Sequence, residues 1–341
     1  MIPLLRQTPS KVTGLAAGCC MLAVCFMLSI VLGANHTGFA AAIQSFIHYD
    51  ASSTEQVIIQ TTRLPRAIVA MLVGANLAVS GALMQALTRN PLASPGIFGI
   101  NAGAVFFVVL ALALFHITTL TSMIWIAFAG AAVAALTVYA LGSMGRDGLT
   151  PLKIVLSGAA MTAFFSSFTH GMLVLNETRL QDVLFWMAGS VAGRDLDMLA
   201  PVLPYMLLAG VMALLLARPV NLLASGEEVA KGLGQRTMLV KLAAALAIVL
   251  LAGSSVAVAG AIGFVGLVIP HIARFLVGAD YRWVIPFSAI LGAVLLLLAD
   301  LAARFVIMPA EVPIGVMTAL VGAPFFIYMA RKGLRSKGGT A

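Results

Sequence analysis

The side chains in this chain that stand ready for chemistry are arginines rather than nucleophiles. Arg63 and Arg66 precede an uncharged run of more than twenty residues; Arg304 follows Asp300 by four near the end of another apolar run, with Glu311 just beyond. Positions three or four apart share a helical face, so Arg63 and Arg66 are neighbours and Asp300 and Arg304 have the spacing of an intrahelical ion pair. A guanidinium offers a planar fork of donors that matches a carboxylate with two parallel hydrogen bonds. The arginines therefore have two readings: anchors that snorkel at a membrane edge, or receptors for carboxylates of an extracytoplasmic partner.

Little else is equipped to make or break bonds. The pattern G-x-x-x-x-G-K-[ST] is absent, as are H-E-x-x-H and G-x-S-x-G, so neither a nucleotide cradle of that kind nor those hydrolytic centres are expected. His36, His48, His116, His170 and His271 are scattered, and Cys19, Cys20 and Cys25 lie together in the first apolar block. Those thiols are expected to pack or to face lipid, with no metal site and no cofactor held by this chain. Asp300 is the sole candidate for a carboxylate within an apolar block. A proton- or ion-coupled carrier normally needs such a group along its path, so ion-coupled carriers and membrane enzymes both lose ground. A permease powered by a separate ATPase fits what is left.

The elements that must position these residues are membrane spans. Of 341 residues, 61% are hydrophobic and 9% charged, against about 25% charged in soluble domains. A hydrocarbon core about 30 Å thick needs roughly 20 apolar residues per helical crossing. The apolar blocks predict an all-α polytopic membrane protein with ten spans, near 13–34, 64–87, 97–115, 121–144, 152–175, 199–217, 238–259, 262–277, 284–305 and 312–330, in a single domain over 1–341. Gly263, Gly266 and Pro270 are expected to break the eighth. Arg6 and Lys11 give the first block a basic front, but its length marks a retained span rather than a signal peptide. With the N-terminus inside, five of the twenty basic residues (Arg63, Arg66, Arg179, Arg194 and Arg304) fall at outer ends and the other fifteen on the cytoplasmic side. Both termini are therefore expected to be cytoplasmic. The net charge of +8 is read as a topology signal and not as nucleic-acid binding. Asn35–Thr37 and Asn176–Thr178 fit the glycosylation pattern, which recurs by chance.

Four further features stand out along the chain. GANLAVSGAL from Gly74 resembles GSSVAVAGAI from Gly253 at an offset of 179 residues, and an odd number of intervening spans would invert the second copy. Inverted repeats with broken helices mark transporters; the halves are expected near 64–175 and 238–330. The loop 90–96, NPLASPG, carries two prolines that deny the helix its donors. It is either a tight interhelical turn or a gate with Asn90 and Leu92 facing a path. The polar segment 218–237 contains Ser225 three residues before Glu228, a capping box, with Glu227 and Glu228 at the positive helix end. Val229 and Leu233 would share one face and Gly232 and Gly234 would stop the helix, giving either a docking helix for another protein or an ordinary surface helix. In 182–196, Gly189 and Gly193 would form a small-residue face and Trp186 an interfacial anchor on a short outer helix.

Six motifs in order carry a family resemblance: RLPR (63–66), GANLAVSGALMQALTRNPLASPGIFGINAG (74–103), GEEVAKGLG (226–234), GAIGFVGLVIPHIAR (260–274), LLLADLAAR (296–304) and EVPIGVMTALVGAPFFIYMARK (311–332). They resemble the FecCD permeases, which serve ABC importers of iron–siderophores, haem and vitamin B12. The resemblance covers the chain from the second span onward and implies a type II importer in a bacterial inner membrane. Its parts are two permease subunits (homo- or heterodimer), two cytoplasmic ATPases that use ATP and Mg2+, and an extracytoplasmic substrate-binding protein. It implies that Arg63, Arg66 and Arg304 receive glutamates of the binding protein. Asn90 and Leu92 would form the cytoplasmic gate, with Thr150 in a second gate segment. Glu227, Glu228, Val229, Leu233 and Gly234 would belong to the coupling helix that sits on the ATPase. The stretch WMAGSVAGRD (186–195) looks more like the siderophore permeases, including the ferric citrate branch, than the B12 branch. The implied cargo is a ferric siderophore; haem or cobalamin import, and ion-coupled transport, are the alternatives.

Overall fold

A computed structural model describes residues 3–33, 38–115, 117, 119–144, 150–175, 186–308 and 310–337. The glycosylation patterns at 35–37 and 176–178 lie outside them, as do 182–185. Among the described residues the chain is helical without strands, and the helices follow the apolar blocks closely: α1 Thr8–Val31, α2 Phe39–Ile47, α3 Thr54–Ile58, α4 Leu64–Thr88, α5 Ile100–Leu114, α6 Leu120–Ser143, α7 Pro151–Leu175, α8 Leu196–Leu199, α9 Leu203–Leu215, α10 Ala217–Ser225, α11 Glu227–Gly232, α12 Thr237–Ala259, α13 Val265–Val277, α14 Tyr281–Ala303 and α15 Ile314–Lys337. Among the described residues six helices are long and apolar enough to cross a membrane, and a seventh if α9 and α10, bent by 53°, count as one. The third, eighth and tenth blocks give shorter apolar helices.

Helix α4 is the axis of the molecule. Of its apolar window 78% is buried, against 17% in α1, so α4 is wrapped by the rest of the chain, as a helix apolar all round can be, while most of α1 faces away from the bundle. It packs on α12, α13 and α14; α1 lies outside α14, α9 outside α12, and α5, α6 and α7 form a flanking group. Glycines set the spacing. A Cβ at Gly74 would run into the Gly292 carbonyl of α14, and one at Gly81 into the Gly266 carbonyl of α13. Without a water-driven hydrophobic force between spans, such close backbone approach supplies the packing. This is also what the Gly74 and Gly81 motif does in its first copy.

Two local expectations are corrected. Gly266 and Pro270 lie inside α13 rather than breaking it; the interruption comes earlier, at Phe264, whose φ of 66° ends the extended stretch after α12. Gly189 and Gly193 have φ of 73° and 67°, so no helix runs through them. Gly189 abuts residues 261 and 262 while a Cβ at Gly193 meets open space; they form no shared packing face. Trp186 is partly buried against the core.

Candidate functional site

The three arginines gather at one end of the bundle, but inside it. Arg63, Arg66 and Arg304 are 5%, 8% and 4% exposed, and Asp300 1%. Their burial corrects the expectation of heads held in water. The reason lies in α1. A helix ends with carbonyls that have no intrahelical partner and carry the negative end of its dipole. Arg63 Nη1 donates to the carbonyls of Ile30 (3.1 Å) and Val31 (2.6 Å), and Arg304 Nη1 to those of Ser29 (2.7 Å) and Leu32 (2.9 Å). Two guanidinia thus close the end of the first span. Gly33 makes room: a Cβ there would stand 2.8 Å from Arg63 Nη2. A π-turn over Ile59–Arg63 leads into α4.

Arg66 turns the other way, toward α14. Its Nε and Nη2 hold Asp300 at 2.8–3.1 Å, and its Nη1 lies 3.0 Å from Glu311 Oε1 and 2.8 Å from Oε2. Asp300 also accepts from Arg304 one turn on, the intrahelical pair its spacing predicts. The α14 carboxylate is therefore shared between two arginines from distant parts of the chain, which is what a buried charge needs to be tolerated. Glu311, in the connection between α14 and α15, is the exposed member, with 35% of its side chain accessible.

About 25 residues of α4, close to 37 Å at 1.5 Å per residue, separate this cluster from the other end. There Arg89 caps α4 in the left-handed region at φ 49° and its Nη2 donates to the Leu223 carbonyl of α10 (3.2 Å). Asn90 Oδ1 accepts from Leu92 N at 2.9 Å, an Asx turn that gives the half-buried Asn90 and Leu92 a tight-loop role. Thr150 caps α7: its Oγ1 accepts from Lys153 N (3.3 Å) and its carbonyl from Ile154 N (3.1 Å), with Pro151 at the first helical position.

The polar segment 218–237 is built differently from its sequence expectation at its start and as expected at its end. Ser225 ends α10 and donates to the Asn221 carbonyl (3.2 Å), and α11 begins after Gly226 with no side-chain cap. The capping box therefore does not form. Glu227 turns inward instead, to Lys241 Nζ (2.8 Å) and Lys231 Nζ (3.4 Å). The Lys241 ammonium holds the Glu227 carboxyl below the usual carboxylate range, with Lys231 assisting. At the far end Gly234 N donates to the Lys231 carbonyl and Gln235 N to that of Ala230, both 2.9 Å, with Gly234 at φ 78°. This is the Schellman closure. Glu228 is exposed, and Val229 and Leu233 are 50% and 67% exposed while Ala230 between them is fully buried. Asn221 joins α10 to the start of α14, donating to Asp280 Oδ1 (2.6 Å) and accepting from Tyr281 N (2.7 Å). Sequence reasoning missed Arg89, Asn221 and Asp280, and no spacing rule marks them.

A cleft of about 240 Å³ opens between α5 and α7; its wall is mostly apolar, with Asn101, Thr162, Ser166, Thr169 and His170 set among Val105, Met187 and Ala261. It too went unmarked, because single polar residues dispersed over two apolar helices carry no local pattern.

A bundle of apolar helices packed through glycines, with buried ion pairs at one end and an exposed helix at the other, defines a multi-pass membrane protein. The chain belongs to the FecCD transport family, whose model matches residues 21–332. It is 56% identical to the probable siderophore transport system permease protein YfiZ of Bacillus subtilis, over 92% of this chain and 94% of that one. It is 46% identical to the iron(3+)-hydroxamate import system permease protein FhuB of the same organism (96% and 85%). It is 41% identical to the ferric enterobactin transport system permease protein FepD of Escherichia coli (94% of each). A solved inward-facing structure of a putative metal-chelate type ABC transporter superposes with TM-score 0.81 at 30% identity, covering 94% of this chain and 99% of that one.

Proposed function

We propose that this chain is the permease subunit of an inner-membrane ABC importer that carries ferric siderophores into the cell. The observation that carries the reading is the 56% identity, over nearly the full length of both chains, to a probable siderophore transport permease. Relatives named for hydroxamate and enterobactin transport support the same cargo class. The permease works as a pair, its own copy or a second permease completing the path, with two ATPases that bind ATP and Mg2+ on the cytoplasmic side. The chain itself hydrolyses nothing and crosses the membrane ten times with both termini inside.

In this reading the arginine end faces outward and receives the substrate-binding protein. Its carboxylates engage the cluster of Arg63, Arg66 and Arg304, and Glu311 is the accessible side of that cluster. Helix α11 seats Val229 and Leu233 on the ATPase. Its motion passes through α10 to two places at once: by Arg89 to the loop of Asn90 and Leu92, and by Asn221 to the start of α14. Thr150, at the head of α7, lies on the second gate segment. The cleft at Thr162, Ser166 and His170 offers hydrogen bonds to an oxygen-rich chelate within an otherwise apolar wall. Transport requires that docking and nucleotide favour different states of these gates, since equal affinity for both would move nothing.

The test is uptake of radioactive iron as hydroxamate, citrate and catecholate complexes by cells with and without this chain. Uptake of at least one complex should disappear on deletion and return on complementation. Loss of haem or cobalamin uptake with all ferric siderophores unaffected overturns the cargo assignment.

A further inference from the structure

We infer that Glu311 is a built-in stand-in for the partner's docking carboxylate: it occupies Arg66 until an incoming acidic side chain displaces it, and so sets the affinity of docking. The inference rests on the proposed docking role of the arginine cluster and adds to it a residue that opposes docking.

The geometry separates two carboxylates that hold one guanidinium. Asp300 takes Nε and Nη2 of Arg66, takes Arg304 as well, and is 1% exposed. Removing it would strand two buried cations, so it does not exchange. Glu311 takes only Nη1, from a connecting segment, with 35% of its side chain open. An external carboxylate that displaces it finds the same charge-assisted donor and loses nothing in kind. Displaced Glu311 is close enough to the surface to be solvated. Phe305, Val306, Ile307 and Met308, all 44–60% exposed, flank the site. A partner seated on them would exclude water and strengthen the new ion pair.

A carboxylate competing from within the chain keeps docking weak enough to reverse after each delivery. It also keeps Arg66 Nη1 from standing unpaired between deliveries, which a buried guanidinium would tolerate poorly.

The experiment measures docking of the cognate substrate-binding protein to the permease–ATPase complex in lipid nanodiscs. Glu311→Gln should tighten Kd about tenfold, chiefly by slowing undocking, while Glu311→Asp, which keeps the charge, should bind like the wild type. Glutamate-to-glutamine changes at the tips of the binding protein's lobes complete a double-mutant cycle. They should weaken docking to the wild type and abolish the gain from Glu311→Gln. If Glu311→Gln leaves Kd unchanged or raises it while the lobe changes still weaken docking, the stand-in role is wrong and the docking role stands. If the lobe changes have no effect on the wild type, the docking role falls and this inference falls with it. Should Glu311→Gln fail to assemble, Glu311→Ser carries the same measurement.

Discussion

Asp300 is the residue on which the arginine end depends. It neutralises Arg66 and Arg304 at once from a position 1% exposed. Asp300→Asn keeps the shape and removes the charge, leaving two guanidinia buried without it. The expected loss is about 3–5 kcal/mol, the range for breaking a buried ion pair by removing one partner. Thermal unfolding of the detergent-solubilised protein checks it, and an unchanged midpoint would show that the arginines find other partners. Asp280 gives a prediction in pH. The Arg282 guanidinium, helped by Asn221 and the Arg282 backbone N–H, holds its carboxyl down to about 2. A carboxyl depressed in the folded state stabilises fully above its unfolded pKa near 3.9 and loses that contribution as pH falls toward 2. The wild type should therefore exceed Asp280→Asn by about 1 kcal/mol, discounted for partial exposure, at pH 5 and above. The gap should close between pH 4 and 2, measured as the difference in unfolding midpoint; a gap that persists at pH 2 would assign the effect to packing.

At the scale of elements, the glycines of α4 and the hinge at its end carry the most weight. Gly81→Val places a branched side chain where the Gly266 carbonyl already sits, and backbone cannot yield as a side-chain tip can. Overpacking of this kind costs about 1–3 kcal/mol or more, visible as lost folded yield. Gly210, inside α9 with open space around it, is the control: Gly210→Ala should be neutral or stabilise by up to about 1 kcal/mol. Arg89 is the second element-level case. Its φ of 49° is a conformation Asn also tolerates, so Arg89→Asn should keep the α4 cap while cutting the bond to α10. Assembled complexes should then hydrolyse ATP near the wild-type rate while transport falls roughly tenfold, a loss typical of a broken coupling. Parallel loss of both activities would instead mean that the complex had failed to form.

At the scale of the whole molecule, the proposed transport cycle would require two ends about 37 Å apart to answer to each other through rigid helices, with α11 as the point where that motion would enter. Val229→Asp puts a charge on its exposed apolar face, so pulled-down complexes should lose ATPase and uptake together; retained ATPase and retained transport would make α11 an ordinary surface helix. Much of this plan was legible in the sequence. The helices lie within a few residues of the apolar blocks, and the exposed pair Val229 and Leu233 and the glycine stop at Gly234 follow from short-range spacing. The capping box at Ser225 failed because α10 runs through Ser225 and spends its hydroxyl on Asn221, leaving Gly226 to start the next helix. Sequence alone thus determined the elements, since apolar length, periodicity and turn chemistry are properties of neighbouring residues. Only the tertiary structure decided what the arginines do. Arg66 finds Asp300 across 234 positions and Arg304 finds Ser29 across 275. Which carbonyls and carboxylates need a buried cation is settled only when the helices that own them have packed together.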